Sequence, residues 1–274
     1  MSANMIDLKT SWFMVFSEKN GKRRTILVGK SSYLNGAKIF SFIFLLFLFS
    51  CIDIGVAGTG ASYRKTSGSV TDGSTVYRYL LYLPKHYAGQ PYRKYPLLVY
   101  LHGKSCRGYN LEKLKRYGPP YLISKGWDFP FIIVSPQCPP DRIWSTDEWF
   151  PALYKSLSDK YRIDENRVYL TGMSMGGSGV WALAIKHPEY LAAAIPLCGG
   201  WRTKGIEAMK DIPVWAFHGS EDDIVPPEET GKMVEALRKA GGRVRYSRLE
   251  GQGHSIHRIY EYKEIYDWLL KQKN

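Results

Sequence analysis

Short apolar segments alternate with helical patterns along most of this chain, and this alternation restricts the possible folds more than any other feature. Apolar runs over 96–101, 131–134 and 168–170 have the length of strands that are buried on both faces. Helical spacing of apolar residues separates these runs, for example over 147–161 and 178–185. Buried strands that alternate with helices predict a mostly parallel sheet covered by helices on both faces.

The same pattern continues to both sides of these segments. An alternating segment over 75–83 predicts an antiparallel strand ahead of the first buried one. Further strands are predicted over 192–197, 212–217 and 244–249, and further helices over 227–240 and 256–270. We therefore predict an α/β domain over residues 74–274. In such a sheet the functional residues follow the carboxyl ends of the strands.

The composition is that of a globular protein and argues against several other classes. The 274 residues are 45% hydrophobic and 23% charged, which does not fit wholesale disorder, a collagen-like repeat or a polytopic membrane protein. Four cysteines are too few for a disulfide-built scaffold. The formal net charge is +13, but the basic residues of the predicted domain are dispersed among acids and form no known motif. Nucleic acid is therefore not expected as a partner.

The first 51 residues have the organisation of an export leader. Residues 1–50 hold seven Lys or Arg and two acidic residues, and they end in an apolar run over 39–49. A basic flank before a short apolar run is typical of a secretory signal, whereas a bilayer-spanning helix needs about 20 apolar residues. We predict a signal, lipoprotein leader or anchor over 1–51. A flexible tether rich in Gly, Ser and Thr is predicted over 52–73.

Cys51, two residues after the apolar run, allows more than one interpretation of this leader. Leu48-Phe49-Ser50-Cys51 resembles a bacterial lipobox, in which the Cys is lipidated and becomes the new N-terminus, although Phe49 stands where a small residue is usual. A lipoprotein, a cleaved secreted protein and an uncleaved anchor or misassigned leader are the interpretations, and Met14 is an alternative start. The expected location is exported, either lipid-anchored or periplasmic or secreted. Membrane contact is expected only through the N-terminal lipid or anchor.

A Gly-x-Ser-x-Gly motif over 172–176 joins the strand at 168–170 to an apolar helical segment. Strand, motif and helix in this order form the structural context of a nucleophile elbow. The turn is sharp, so glycine beside Ser174 avoids Cβ clashes, and the hydroxyl is held out above the sheet. The start of the following helix brings N–H donors near developing negative charge. Ser174 is the predicted nucleophile, and a Gly-rich turn without catalysis is the alternative.

Two further strand ends carry residues that complete a catalytic set. Asp222 and Asp223 follow the strand over 212–217, and the residues alone leave open which of them reaches a histidine. His254 lies in a Gly-rich loop after the last strand, where an imidazole can act as a general base near neutral pH. The order Ser174, acid, His254 is that of the α/β-hydrolase fold, not that of chymotrypsin-like or subtilisin-like enzymes.

The remaining histidines are interpreted as structural. His218 ends the strand before the acidic loop, and His257 lies one helical turn after His254 and is expected at the surface. His102 is assigned a loop-stabilising role, because no second metal-type ligand is spaced near it. No metal or other cofactor is predicted.

The loop after the strand over 96–101 is the expected second half of an oxyanion hole. In this fold a backbone N–H from that loop pairs with the N–H that follows the nucleophile. In this chain those groups belong to Lys104 and Met175.

Several motifs recur together and resemble those of one group of enzymes. They are Leu101-His102-Gly103, Ser135-Pro136-Gln137-Cys138-Pro139, the segment 172–177, Pro196-Leu197-Cys198-Gly199-Gly200, His218-Gly219 with Asp222 and Val225-Pro226, and Gly253-His254. The set looks like that of bacterial esterases related to polyhydroxybutyrate depolymerases, feruloyl esterases and the "predicted peptidase" branch of the α/β-hydrolases, over about residues 75–272. The resemblance implies Asp222 as the triad acid, because the family's acid precedes x-x-Val-Pro. Lys104 stands where the family usually has a small residue.

The resemblance implies a serine carboxylesterase that works through an acyl-enzyme. Short-acyl or aryl esters are the expected small-molecule or carbohydrate substrates, with esters on plant polysaccharide as one class. A serine peptidase of the same fold and a non-catalytic binding protein on this fold are the alternatives. The absence of a long insertion between Leu197 and Ile212 predicts a site without a large lid.

Two groups of side chains near the strand ends have open assignments. Trp144, Trp149 and Trp201 are candidates for an aromatic platform that binds a sugar or an aryl acid, with ordinary packing as the alternative. Cys106 and Cys138 each follow a neighbouring strand, and both a disulfide between them and two free thiols are open.

Overall fold

The computed structural model describes residues 10–19, 22–34, 37–39 and 66–274. These residues fall into two units, which divide between Ala57 and Gly58. The described part of the first unit is a three-stranded antiparallel sheet of β1 (Thr10–Lys19), β2 (Lys22–Leu34) and β3 (Ala37–Ile39), in that order.

Only part of the segment on which the export prediction depends is among the described residues. The apolar run from residue 40 onward, Cys51 and the first part of the predicted tether all lie outside them. In the part of the chain that the structure describes, no helix is long and apolar enough to cross a membrane.

An eight-stranded sheet forms the centre of the second unit. Its strands are β4 (Thr66–Asp72), β5 (Thr75–Tyr82), β6 (Tyr95–Leu101), β7 (Ile132–Gln137), β8 (Ile163–Met173), β9 (Ala193–Leu197), β10 (Val214–Gly219) and β11 (Val244–Leu249). They are arranged in the order β11-β10-β9-β8-β6-β7-β5-β4. The six strands from β6 to β11 pair in parallel, and β4 and β5 add an antiparallel edge. The predicted mostly parallel sheet is confirmed.

Helices cover both faces of this sheet, as predicted. They are α1 (Gly118–Ser124), α2 (Trp149–Ser158), α3 (Met175–Lys186), α4 (Pro227–Lys239) and α5 (Lys263–Leu270). Alternate residues of a strand point to opposite faces, so Leu97 and Val99 of β6 join a different core cluster from Leu98 and Tyr100. The first cluster includes apolar residues of α2, α3 and α4, and the second includes those of α1 and α5.

The hairpin of β4 and β5 corrects the predicted start of the domain. The flexible tether predicted over 52–73 is wrong for residues 66–73, because Thr66–Asp72 pairs along its whole length with β5. Gly, Ser and Thr are common in linkers, but here they suit a strand that passes over an aromatic ring. A Cβ on Gly68 would lie 2.1 Å from the ring of Tyr79, and Val70 is buried.

The predicted helix over 256–270 is two elements. A 3₁₀ helix covers His257–Glu261, and α5 begins at Lys263. Tyr262 between them has an extended backbone, with φ −85° and ψ 121°, which interrupts the helical hydrogen bonds. The break directs α5 along the sheet, where Ile265 and Leu269 are buried.

Candidate active site

Ser174 occupies a sharp turn between β8 and α3. Its backbone has φ 60° and ψ −122°, a conformation that L-residues rarely adopt. A Cβ on Gly176 would lie 2.0 Å from the backbone oxygen of Leu101, and one on Gly172 would lie 2.7 Å from the same oxygen. Both flanking positions of the motif therefore have no room for a side chain. The turn has the geometry expected of a nucleophile elbow.

The structure brings Ser174, His254 and Asp222 into one hydrogen-bonded chain. The Ser174 hydroxyl lies 2.9 Å from His254 Nε2, and His254 Nδ1 lies 2.7 Å from Asp222 Oδ2. Because Nδ1 faces a carboxylate, it carries the imidazole proton and leaves Nε2 free to accept from the hydroxyl. Asp223, the other candidate acid, is exposed and takes no part in this chain.

The Asp222 carboxylate is buried, and it accepts several hydrogen bonds. Its Oδ1 accepts the backbone N–H groups of Ile224 at 3.0 Å and Val225 at 2.9 Å. Burial raises the pKa of this carboxyl, but the N–H of Val225, the His254 side chain and the N–H of Ile224 outweigh burial and bring the pKa below its ordinary value. The carboxylate is thus ionised at neutral pH and can stabilise a positively charged imidazole beside it.

A second layer of polar groups lies behind Asp222. His218, at the end of β10, contacts Asp222 Oδ2 through Nε2 at 3.0 Å. The ligand atoms of Cys198, His218 and Asp222 lie within 4.8 Å of one another, a spacing that a metal ion accepts. Burial raises the pKa of the Cys198 thiol to about 12, so the thiol is protonated at neutral pH when no metal ion is bound.

The two backbone groups predicted as oxyanion donors belong to elements that flank Ser174. Met175 is the first residue of α3, and Lys104 is the first residue of a 3₁₀ helix over Lys104–Cys106. The first N–H groups of a helical turn have no acceptor within it. The loop before Lys104 passes close to the nucleophile, since a Cβ on Gly103 would lie 3.6 Å from the Ser174 Cβ. The oxyanion role of both groups stays a prediction.

His102 stabilises this loop, as the sequence indicates. Burial lowers the pKa of its imidazole to about 4, so the ring is neutral at neutral pH. Its Nε2 accepts the backbone N–H of Cys138 at 3.0 Å, which leaves Nδ1–H to donate to the Gly103 oxygen at 2.7 Å. The indole N–H of Trp144 donates to the His102 backbone oxygen at 2.9 Å.

Sequence reasoning missed a further residue that holds the same loop. The side-chain amide of Gln137, at the end of β7, donates to the backbone oxygens of Cys106 at 2.8 Å and Asn110 at 2.9 Å. Gln137 belongs to the motif over 135–139, but its hydrogen-bond partners Cys106 and Asn110 lie 31 and 27 positions earlier in the sequence. Only the pairing of β6 with β7 brings them together.

The predicted aromatic platform is wrong for two of its three members. Trp144 and Trp149 are 1% and 0% exposed, and the Trp149 ring stacks on Tyr77 with centroids 5.3 Å apart. Both indoles fill the core between α2 and the sheet, so neither is open to a substrate. Trp201 is only half-buried and follows β9, which leaves it as the remaining candidate. The Arg202 guanidinium lies 5.8 Å from its ring centroid.

Three other predictions have an outcome in the described residues. Cys106 and Cys138 are buried free thiols, so the disulfide alternative is not formed. His257, expected at the surface, is half-buried, because its ring packs edge-on against Tyr117. The segment between β9 and β10 contains a short 3₁₀ helix over Ile206–Met209 and no inserted domain, in agreement with the absence of a large lid.

Comparison with known proteins supports the assignment of the fold. Residues 146–265, which contain Ser174, Asp222 and His254, match the Dienelactone hydrolase family. A solved structure of a thermostable esterase is 36% identical with a TM-score of 0.66, over 76% of this chain and 63% of that one. The chain has an α/β-hydrolase fold.

Two further similar proteins have names that indicate a substrate class. A bifunctional acetylxylan esterase/xylanase from Neocallimastix patriciarum is 28% identical over 150 residues, which are 52% of this chain and 22% of that protein. The feruloyl esterase module from Clostridium thermocellum complexed with sinapinate is 18% identical with a TM-score of 0.57, over 76% of this chain and 87% of that one. The chain thus spans only a fraction of the acetylxylan esterase/xylanase and less than two thirds of the thermostable esterase.

The elbow geometry predicts that Gly176→Ala is strongly disruptive. Its Cβ would enter within 2.0 Å of the Leu101 backbone oxygen, so α3 must move away from β6 and displace Ser174. We expect lower hydrolysis of p-nitrophenyl acetate and a lower urea midpoint. Gly231→Ala in α4 is the matched control, since its Cβ meets nothing within 4 Å and we expect it to stabilise the protein by roughly 0.5–1 kcal/mol. Equal effects of the two substitutions would contradict this account.

Proposed function

We propose that this chain is a serine carboxylesterase that hydrolyses esters through a covalent acyl-enzyme. The observation that carries the proposal is the chain from Ser174 Oγ to His254 Nε2 at 2.9 Å and from His254 Nδ1 to Asp222 Oδ2 at 2.7 Å. Each of these residues follows the carboxyl end of a different parallel strand, where α/β sheets carry their sites. The names of the similar esterases support the same reaction class.

The first half-reaction forms the acyl-enzyme. His254 Nε2 takes the hydroxyl proton while Ser174 Oγ attacks the ester carbonyl carbon. The resulting imidazolium is stabilised by the Asp222 carboxylate, which also fixes the ring orientation. The negative charge that develops on the carbonyl oxygen is bound by the N–H groups of Met175 and Lys104, each worth roughly 3–4 kcal/mol in the transition state.

The next steps complete the acyl-enzyme and then release the acid. The His254 imidazolium gives its proton to the departing alcohol oxygen as the tetrahedral intermediate collapses. Water then takes the place of the alcohol, His254 removes its proton, and the hydroxide attacks the acyl carbon. Collapse of this second intermediate returns the proton from His254 to Ser174 and restores the free enzyme.

The substrate class is proposed to be short-acyl or aryl esters, including those on plant polysaccharide. Two features of the chain support an open site: the short connection between β9 and β10, and the single 3₁₀ helix that it contains. Among similar proteins, one is named an acetylxylan esterase/xylanase and another is a feruloyl esterase module. Half-buried Trp201 is the side chain proposed to contact an aryl or sugar ring.

Ser174→Ala tests the reaction class. Loss of the nucleophile should lower kcat/KM for p-nitrophenyl acetate by at least about 10⁴-fold and abolish labelling by a fluorophosphonate. Ser178→Ala, one turn along α3, is the matched control and should keep both properties. A p-nitroanilide peptide distinguishes the peptidase alternative, and we expect much slower turnover of it than of the ester. Full activity of Ser174→Ala would refute the proposal, and an inactive wild type that is not labelled would favour a binding protein.

Trp201→Ala tests the aryl contact. A lost ring contact of roughly 0.5–1.5 kcal/mol should raise KM for a feruloyl ester about two- to tenfold, with a smaller effect on an acetyl ester. Trp127→Ala is the matched control, because this exposed ring lies before β7 at the amino end of the sheet. Identical changes for feruloyl and acetyl esters would remove Trp201 from the substrate site.

The domain is also proposed to act after export through the leader over residues 1–51. The support is the basic stretch, the apolar run over 39–49 and the position of Cys51. In a bacterial host we expect the full chain to incorporate labelled palmitate and to fractionate with membranes, and Cys51→Ala to lose the label. Cys106→Ala is the matched cysteine control and should keep it. An unprocessed, unlabelled chain in the cytoplasm would rule out export.

A further inference from the structure

We propose that His218 is a positioning residue for the triad acid. Through its Nε2–H group it holds the Asp222 carboxylate in the orientation that receives His254. The inference rests on the catalytic roles proposed above and adds a residue that contacts neither Ser174 nor the substrate. Two observations support the inference. The buried His218 imidazole contacts Thr230, Asp222 and Val225, and these partners determine which ring nitrogen carries a proton.

The His218 ring is fixed on a rigid element. It belongs to β10, which pairs in parallel with β9 on one side and β11 on the other, and its side chain is 0% exposed. Nδ1 lies 2.7 Å from the Thr230 hydroxyl of α4, and the same hydroxyl lies 2.8 Å from the Gly199 backbone oxygen, to which it can donate. Asp222, by contrast, belongs to the loop between β10 and α4. The contact therefore ties a loop carboxylate to the sheet.

The partners of His218 determine where its protons lie. Nε2 is 3.0 Å from Asp222 Oδ2 and 2.9 Å from the backbone oxygen of Val225, and both oxygens are acceptors. Two acceptors cannot face an unprotonated nitrogen without repulsion, so Nε2 carries a proton. The Thr230 hydroxyl at Nδ1 can donate or accept. The donor toward Asp222 is consequently present whichever state Nδ1 adopts.

This proton completes the hydrogen bonding of the Asp222 carboxylate. Oδ1 receives two backbone N–H groups from its own loop, and Oδ2 receives His254 Nδ1–H and His218 Nε2–H. The Cys198 thiol also lies near this carboxylate. Without the His218 donor, the buried Oδ2 keeps a single N–H partner, and the carboxylate can rotate away from His254 to recover a second one.

A merely structural role for His218 makes a different prediction. If the ring serves only to join β10 to α4, the contact that matters is Nδ1 with Thr230 rather than Nε2 with Asp222. Asn and Gln separate the two possibilities. The Asn amide reaches about as far as Nδ1, whereas the Gln amide reaches about as far as Nε2 and keeps a donor there.

The test compares His218→Asn with His218→Gln in kcat and KM for p-nitrophenyl acetate, with urea midpoints measured on the same samples. Loss of a hydrogen bond to a charged group should lower kcat of His218→Asn by roughly 10- to 100-fold with KM nearly unchanged. His218→Gln should recover most of that loss. Equal losses in both variants, a better Asn than Gln variant, or full activity of His218→Asn would overturn the proposal.

Two further measurements keep the result interpretable. Wild-type turnover together with an inactive Ser174→Ala establishes the triad independently, so a failure of the esterase proposal is distinguishable from a failure of the His218 proposal. If neither His218 variant folds, ¹⁵N-histidine NMR of the wild-type protein decides the point. A proton on His218 Nε2 supports the assignment, and an unprotonated Nε2 overturns it.

Discussion

Close backbone contact at the turn around Ser174 is the constraint on which the rest of the site depends. The Ser174 N–H donates to the Leu197 oxygen of β9 at 2.9 Å, and a Cβ on Gly176 or Gly177 would lie 2.0 or 2.2 Å from a backbone oxygen of β6 or β9. The turn is thereby held between the ends of both neighbouring strands. This contact gives Ser174 its strained backbone and directs its hydroxyl away from the sheet.

Parallel strands then bring the other parts of the site to the same edge. Lys104 lies in the loop after β6, Asp222 in the loop after β10, and His254 in the loop after β11. Loops are mobile unless tied to rigid elements, and side chains of neighbouring strands hold the first two of these loops. His102 and Gln137 hold the first of these loops, and His218 contacts the acid of the second. Preorganisation of this kind places donors and acceptors before the substrate arrives.

Periodicity and strand-end motifs are local signals, so the sequence predicts the elements and the residues that meet in the hydrogen-bonded chain of Ser174, His254 and Asp222. Only the resemblance separates Asp222 from Asp223 in the sequence, and in the structure Asp222 is buried and Asp223 is exposed. The direction in which a side chain points was not predictable: Trp149 lies near a strand end in the sequence but faces the core. The strand over residues 66–72 is not predictable from composition, because its glycine, serine and threonine residues are also those of a linker. Only the structure shows that Gly68 packs against the ring of Tyr79.

The central claim is that Ser174 carries the acyl group during turnover. Acid quench of the wild-type protein within the first turnover of p-nitrophenyl acetate, followed by peptide mapping with mass spectrometry, tests it most directly. The account predicts an acetyl adduct on the peptide that contains Ser174, formed as p-nitrophenol is released and lost as acetate appears. Turnover without any adduct, or an adduct on another residue that forms and decays at the catalytic rate, would contradict it.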